Sequence, residues 1–199
     1  MRNNVQFLRS LMPRKPDAEL ESRVLEAAYK LWSNGGEKAL TMRAVARAAG
    51  TTTPTMYQRF RDKKDLMMLL RNRALEKLVS VLQPACSPAA TCGRFLDFAS
   101  THPHQYRLVT ADWAVKLSGR ERRPTFELIK KRLAVQLGGA PEEHARLALA
   151  LGALIHGTAT MLLADGVHQK VSRQLRSTCN EACDTLIQCA AAKRARTKT

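Results

Sequence analysis

The residues best suited to chemistry lie close together. Between Thr41 and Lys63 the chain reads TMRAVARAAGTTTPTMYQRFRDK. Thr52, Thr53, Thr55, Tyr57, Gln58 and Arg59 all carry hydrogen-bond donors, and none is acidic. A surface of donors without carboxylates suits a phosphate-lined partner, because phosphate oxygens accept and repel other anions. Val45, Ala46, Ala49, Met56 and Phe60 recur at spacings that turn them the other way, into a small core.

Other reactive residues are scattered. His102-Pro103-His104 places two imidazoles side by side, yet no carboxylate or cysteine stands nearby at metal-ligand spacing. They read as capping and surface groups, so neither metal nor cofactor is expected. His156 falls on a helix face with Leu149, Ala153, Thr160 and Leu163 and reads as a hydrogen-bonded core histidine. Five cysteines are an odd number, bunched at 86/92 and 179/183/189, without any C-x-x-C. That is no disulfide framework, and a reducing cytoplasm fits it. Cys179, Cys183 and Cys189 read as packing in an interhelical seam. The rival reading is a redox sensor, with Arg176 lowering the thiol pKa of Cys179 or Cys183.

These groups must be positioned by helices. Leu20, Val24, Ala28, Leu31 and Trp32 form a one-sided stripe over 17–33, with Asn34-Gly35-Gly36 as the expected stop. Short helices at 41–48 and 52–58 meet around Gly50, the residue that permits a steep crossing. A longer helix is expected at 63–82, capped by Asp62. Further helices are expected at 89–101, 103–117, 122–137, 141–164 and 170–192. No segment alternates like a strand. The spacing therefore predicts an all-α chain. The expected division is a flexible basic arm (1–16), an N-terminal helical domain (17–82, motif 41–60), a C-terminal domain (83–192) and a basic tail (193–199).

Composition narrows the function. Among 199 residues the formal net charge is +16. Both parts are equally basic: 16 Lys/Arg against 8 Asp/Glu over 1–80, and 17 against 9 over 81–199. A polyanionic partner is favoured, nucleic acid above an anionic membrane. No continuous run of 18 apolar residues occurs, and the basic start lacks the apolar core of a signal peptide. Neither a phosphate loop nor a nucleophile–base pair is legible, so no enzyme is expected.

The stretch 23–66 resembles the DNA-binding domain of TetR-type transcriptional regulators. The resemblance rests on Trp32 to Gly36, Thr41, Val45-Ala46, Ala49-Gly50, Met56-Tyr57, Phe60, Lys63 and Leu66. Thr51 replaces a usual aliphatic residue, and Arg59 a usual His or Tyr. The resemblance implies that Thr41, Tyr57 and Lys63 contact phosphate and that Arg43 reaches base or phosphate. Thr52, Thr53, Pro54, Thr55, Gln58 and Arg59 would face the major groove. The C-terminal half is similar to the WHG-type ligand-binding domain, through His-Pro-x-x-Tyr at 102–106 and His-Gly at 156–157.

The implied function is an operator-binding repressor, bacterial and cytoplasmic, acting as a homodimer and released by a small-molecule effector. Phe95, Phe98, Tyr106, Trp113 and His156 are the expected effector contacts. The 141–164 helix is apolar on two sides, so a partner subunit should cover one of them. The expected seam comprises Leu151, Gly152 and Ile155 on that helix, and Leu175, Cys179, Ala182 and Leu186 on the next. The alternatives are a nonspecific basic nucleic-acid-binding protein and the redox-sensing regulator.

Overall fold

The structure, a computed structural model, describes residues 18–111 and 123–197. The proposed N-terminal arm, Trp113 and the end of the expected 103–117 helix lie outside the described residues. Every regular element among the described residues is helical. The chain divides into two compact units between Leu70 and Arg71.

The first unit holds α1 (Ala18–Ala39), α2 (Met42–Ala48), α3 (Thr53–Arg59) and the first turns of α4 (Lys63–Leu82). Val24, Ala28, Trp32, Val45, Ala46, Met56, Phe60, Leu66 and Leu70 are buried together with Leu40. The expected stop at 34–36 falls where the helical run breaks: Gly36 takes φ 59°, ψ −146°, and a short further turn reaches Ala39. That backbone conformation is open in practice only to glycine. The bend delivers Leu40 into the core, fully buried, just before Thr41 opens α2.

The second unit contains the rest of α4, then α5 (Pro88–Thr101), α6 (Pro103–Thr110), α7 (Pro124–Leu137), a 3-10 turn at Pro141–His144, α8 (Ala145–Leu162) and α9 (Gln169–Thr197). Leu78, Leu82, Leu96, Phe98, Leu133, Leu151, Cys183 and Ile187 belong to one buried cluster. Ser87 caps α5 by accepting from the Ala90 N–H at 3.1 Å, with Pro88 in the first turn. Arg176 of α9 ties down α5, donating to Asp97 at 2.7 Å, to Ser100 and to the Leu96 carbonyl.

The expected tail from residue 193 is corrected. Helix α9 runs on to Thr197, with no Gly or Pro to stop it, and Arg194 donates to Glu143 at 2.9 Å. Glu143 in turn accepts from the Ala140 N–H at 2.7 Å, so the end of α9 is pinned to the turn that starts α8.

The seam residues are partly misassigned. Leu151, Ile155 and Cys179 are buried within the protomer's own core and are not available to a partner. Two apolar sides on one helix do not reveal which faces inward. Ala148, Leu151, Ile155 and Ala159 do, while Leu149, Ala153, Gly157 and Met161 are exposed. On α9, Cys179, Cys183 and Ile187 turn inward, leaving Leu175 and Ala182 half-buried and Leu186 exposed. By length and composition Pro141–Leu162 would also pass for a membrane-crossing helix, with mean hydropathy 1.4. Here its inner stripe packs within the helical core.

Because alanine is strained where Gly36 bends the chain, Gly36→Ala should lower the unfolding free energy by about 1–3 kcal/mol. Urea titration followed by circular dichroism measures the loss. A variant as stable as the parent would contradict the bend.

Candidate nucleic-acid interface and C-terminal cavity

Helices of seven residues do not hold themselves together, so their ends and inner faces decide whether they form. Thr41 caps α2 by accepting from the Ala44 N–H at 3.1 Å. At its other end Gly50 takes φ 66°, and the Thr51 N–H reaches back to the Ala46 carbonyl at 2.9 Å. The Gly50 N–H donates to the Arg47 carbonyl at 3.3 Å, completing a left-handed stop that satisfies two terminal carbonyls. Thr52 then caps α3, accepting from the Thr55 N–H at 3.3 Å, and Pro54 sits in the first turn. Two threonines of the run are thus structural as well as polar.

Burial of Met56 and Phe60 fixes which face of α3 looks outward. Tyr57, 55% exposed, and Gln58 stand on that face, with Thr52 and Pro54 also exposed. Thr53, Thr55 and Arg59 are half-buried but accessible. Thr41 and Arg43 are exposed on α2 and its cap. Neither α2 nor α3 has an acid in its first turn, which suits an anion near the positive ends of their dipoles.

Three acids nearby are engaged. Lys63 pairs with Glu37 at 3.5 Å. Arg61 clamps Asp65 two-pronged, donating from Nε and Nη2 at 3.0 Å each, which holds the Asp65 carboxyl below its usual range. Asp62 accepts from the Lys64 and Asp65 N–H groups and so caps α4.

The second unit contains a cavity of about 190 Å³. Its wall includes Leu78, Leu82, Phe95, Ile129, Leu151 and Ile155, with Gly152 and Ala148 from α8. Of the expected effector contacts, Phe95 lines it. Phe98, Tyr106 and His156 do not, and Trp113 lies outside the described residues. Phe98 is buried against His102, ring edge to ring face at 5.1 Å. Tyr106 and His156 form a pair of their own, hydroxyl oxygen to Nδ1 at 2.5 Å. Burial pushes the phenol up to about 12 and the imidazole down, which keeps both groups neutral at neutral pH. Leu151, Gly152 and Ile155, expected in the seam, line the cavity instead. Sequence reasoning also missed Arg71 and Arg123 at this cavity. No local motif marks them, because α4 and the approach to α7 meet only in the fold.

The thiol reading finds no support. Arg176 is turned to Asp97 rather than to a sulfur. Hydrogen bonding to Cys92 and then burial push the Cys183 thiol well up, and burial raises Cys179. A raised thiol is a poor nucleophile at neutral pH.

Two family models match the chain. One describes bacterial regulatory proteins of the tetR family, over residues 24–68. The other describes a tetracyclin repressor-like C-terminal domain, over residues 89–186. The chain is 29% identical over 104 residues to the HTH-type transcriptional activator FasR of Mycolicibacterium smegmatis, covering 48% of each chain. It is 31% identical over 67 residues to an HTH-type transcriptional regulator of Staphylococcus aureus, covering 34% of this chain and 36% of that one. These alignments thus span about half, and about a third, of those relatives' lengths. Among solved structures it is similar to a TetR variant from Acinetobacter baumannii AYE in complex with minocycline. That match has a TM-score of 0.62 and 18% identity over 87% of this chain and 97% of that one, a likeness of fold.

The Tyr106–His156 pair predicts a pH dependence. The folded imidazole pKa lies below its ordinary value, so below about pH 6.5 the unfolded chain binds the proton first. Stability is full above that pH and falls on acidification toward the folded pKa. His156→Gln should flatten this slope in melting curves taken between pH 7.5 and pH 5; an unchanged slope would contradict the assignment.

Proposed function

The chain belongs to the TetR family of bacterial regulatory proteins, and from that premise and the geometry above we propose that it is a sequence-specific DNA-binding transcriptional repressor whose hold on its operator is released by a small molecule. The observation that carries the reading is α3, capped at Thr52, anchored by Met56 and Phe60, and presenting donors without acids. A major groove about 12 Å wide admits one such helix.

Residue roles follow from position. Thr41, Tyr57 and Lys63 grip phosphate, Lys63 exchanging Glu37 for the more anionic backbone. Arg43 reaches base or phosphate. Gln58 reads bases, with Thr53, Pro54, Thr55 and Arg59 along the groove.

A homodimer brings two such helices to successive turns of DNA. We place its seam on the exposed apolar stripe of α8, at Leu149, Ala153, Gly157 and Met161, together with Leu175, Ala182 and Leu186 of α9. The effector enters the cavity of the second unit. Helix α4 begins with Lys63 and ends with cavity-lining Leu82, so a shift imposed at one end is felt along one continuous helix. Repression is read as a bound dimer blocking a promoter. The relative named as an activator marks the opposite outcome, in which deletion of the regulator lowers reporter output instead of raising it.

Fluorescence anisotropy on a sequence selected from random DNA tests the function. A specific site should exceed random DNA by about 10³-fold or more at physiological salt. Equal affinities would favour the nonspecific basic binder. Lys63→Ala and Tyr57→Phe should each weaken binding to all sequences, and Lys63→Ala should flatten the salt dependence by about one unit per motif. Gln58→Ala should change the preferred sequence instead. An exposed site separates the seam from folding: Ala153→Arg leaves the protomer core intact but buries an unpaired charge in the dimer, a cost of several kcal/mol. Sedimentation should then find folded monomers at micromolar concentration; a stable dimer would move the seam elsewhere.

A further inference from the structure

We propose that the cavity of the second unit takes an amphipathic carboxylate, its acid group held by Arg71 and Arg123 and its alkyl or aryl body laid along the apolar wall. The inference rests on the reading of this unit as the effector-binding part and adds the ligand's chemical class. Three observations carry it.

The first is the division of the lining. Leu75, Leu78, Leu82, Ile129, Leu151 and Ile155 offer only hydrocarbon. The polar lining is cationic or neutral: Arg71, Arg123, Asn72, Thr91, Thr110 and Thr125. No described lining residue is acidic.

The second is the state of Arg123. Its guanidinium carbon lies over the Phe126 ring, 4.9 Å from the centroid. A guanidinium held against a ring keeps its charge and its N–H fork, which can meet a carboxylate two-pronged. Lys130 lies over the same ring at 5.5 Å, and it already engages Glu127 at 2.9 Å and Glu142 at 3.6 Å. Those two carboxylates are therefore occupied.

The third is Arg132. It donates to the hydroxyl of lining Thr91, and to the carbonyls of Leu82 and Gln83 at 2.9 and 2.8 Å. These acceptors are neutral, so they leave its charge in the field of the cavity. An anion in the cavity would sit in a field of positive charge. A cation of the same shape meets repulsion, and a neutral alcohol gains only the apolar wall.

Isothermal titration of the full chain at neutral pH and below micellar concentrations tests this without DNA. The probes are decanoate and naphthoate, their neutral counterparts decanol and naphthol, and decyltrimethylammonium. At least one acid should bind, one per chain, about tenfold or more tighter than its neutral counterpart and than the cation. Arg71→Ala combined with Arg123→Ala should weaken that acid about tenfold while leaving the neutral counterpart within about twofold. Circular dichroism checks that the double variant is folded. If it is not, the single variants Arg71→Gln and Arg123→Gln replace it, each expected to weaken the acid by severalfold.

The inference is overturned if neither acid binds, if the neutral or cationic probe binds as tightly, or if the folded variants bind the acid like the parent. A chain that binds decanoate but no DNA sequence specifically would sink the regulator reading and leave this one standing. A chain that binds an operator but neither acid would do the reverse.

Discussion

Two seven-residue helices exist in this protein only because their inner faces are buried. Neither is long enough to form alone in water. Val45, Ala46, Met56 and Phe60 supply the apolar contacts, and the Gly50 stop and the Thr41 and Thr52 caps satisfy the loose ends. Once Met56 and Phe60 point inward, Tyr57 and Gln58 have no choice but to point outward. The presentation of donors to a groove is thus a consequence of packing, and it is as rigid as that packing is tight. Gly36 serves the same end from the other side, bending α1 so that Leu40 closes the core just before α2 starts.

The second unit obeys a different constraint. Helix α8 is apolar nearly all round, and one protomer covers only part of it. Its inner stripe makes core and cavity wall at once, since Leu151 and Ile155 do both. Its outer stripe, with Ala153 and Gly157 among larger apolar residues, is exposed. On the proposed reading, binding a ligand and pairing subunits share one helix. That economy offers a physical route by which an effector alters a dimer, because a side chain displaced on one stripe moves the backbone carrying the other.

Much of the first unit was legible in the sequence. The α2 and α4 boundaries, the caps and the inward residues of the motif follow from local rules: a Thr before an apolar period, a Gly after it, an Asp directly ahead of a helix. The stop at Asn-Gly-Gly was legible too, because Gly36 takes the backbone that breaks the helix; the further turn to Ala39 and the burial of Leu40 were not. In the second unit the helices were legible but their phase was not. Leu151 and Ile155 carry the same hydropathy as the outward residues, and nothing local says which stripe meets the core. The cavity arginines were hidden for the related reason that Arg71 and Arg123 stand far apart in the chain. His156 was visible as a polar group on an apolar face, and Tyr106 as one of several aromatic residues expected at the effector. Their mutual hydrogen bond, which removes both from the cavity, required the fold.

The account stands or falls on the outward face of α3. Its most direct test is the operator preference of the full chain, selected from random duplex DNA, with Gln58→Ala compared against the parent. The account predicts a defined site bound about 10³-fold or more above random DNA at physiological salt, with the variant changing the preferred bases at one position in each half-site. Binding that recovers no consensus, or a variant whose selected site matches the parent's at every position, would contradict it.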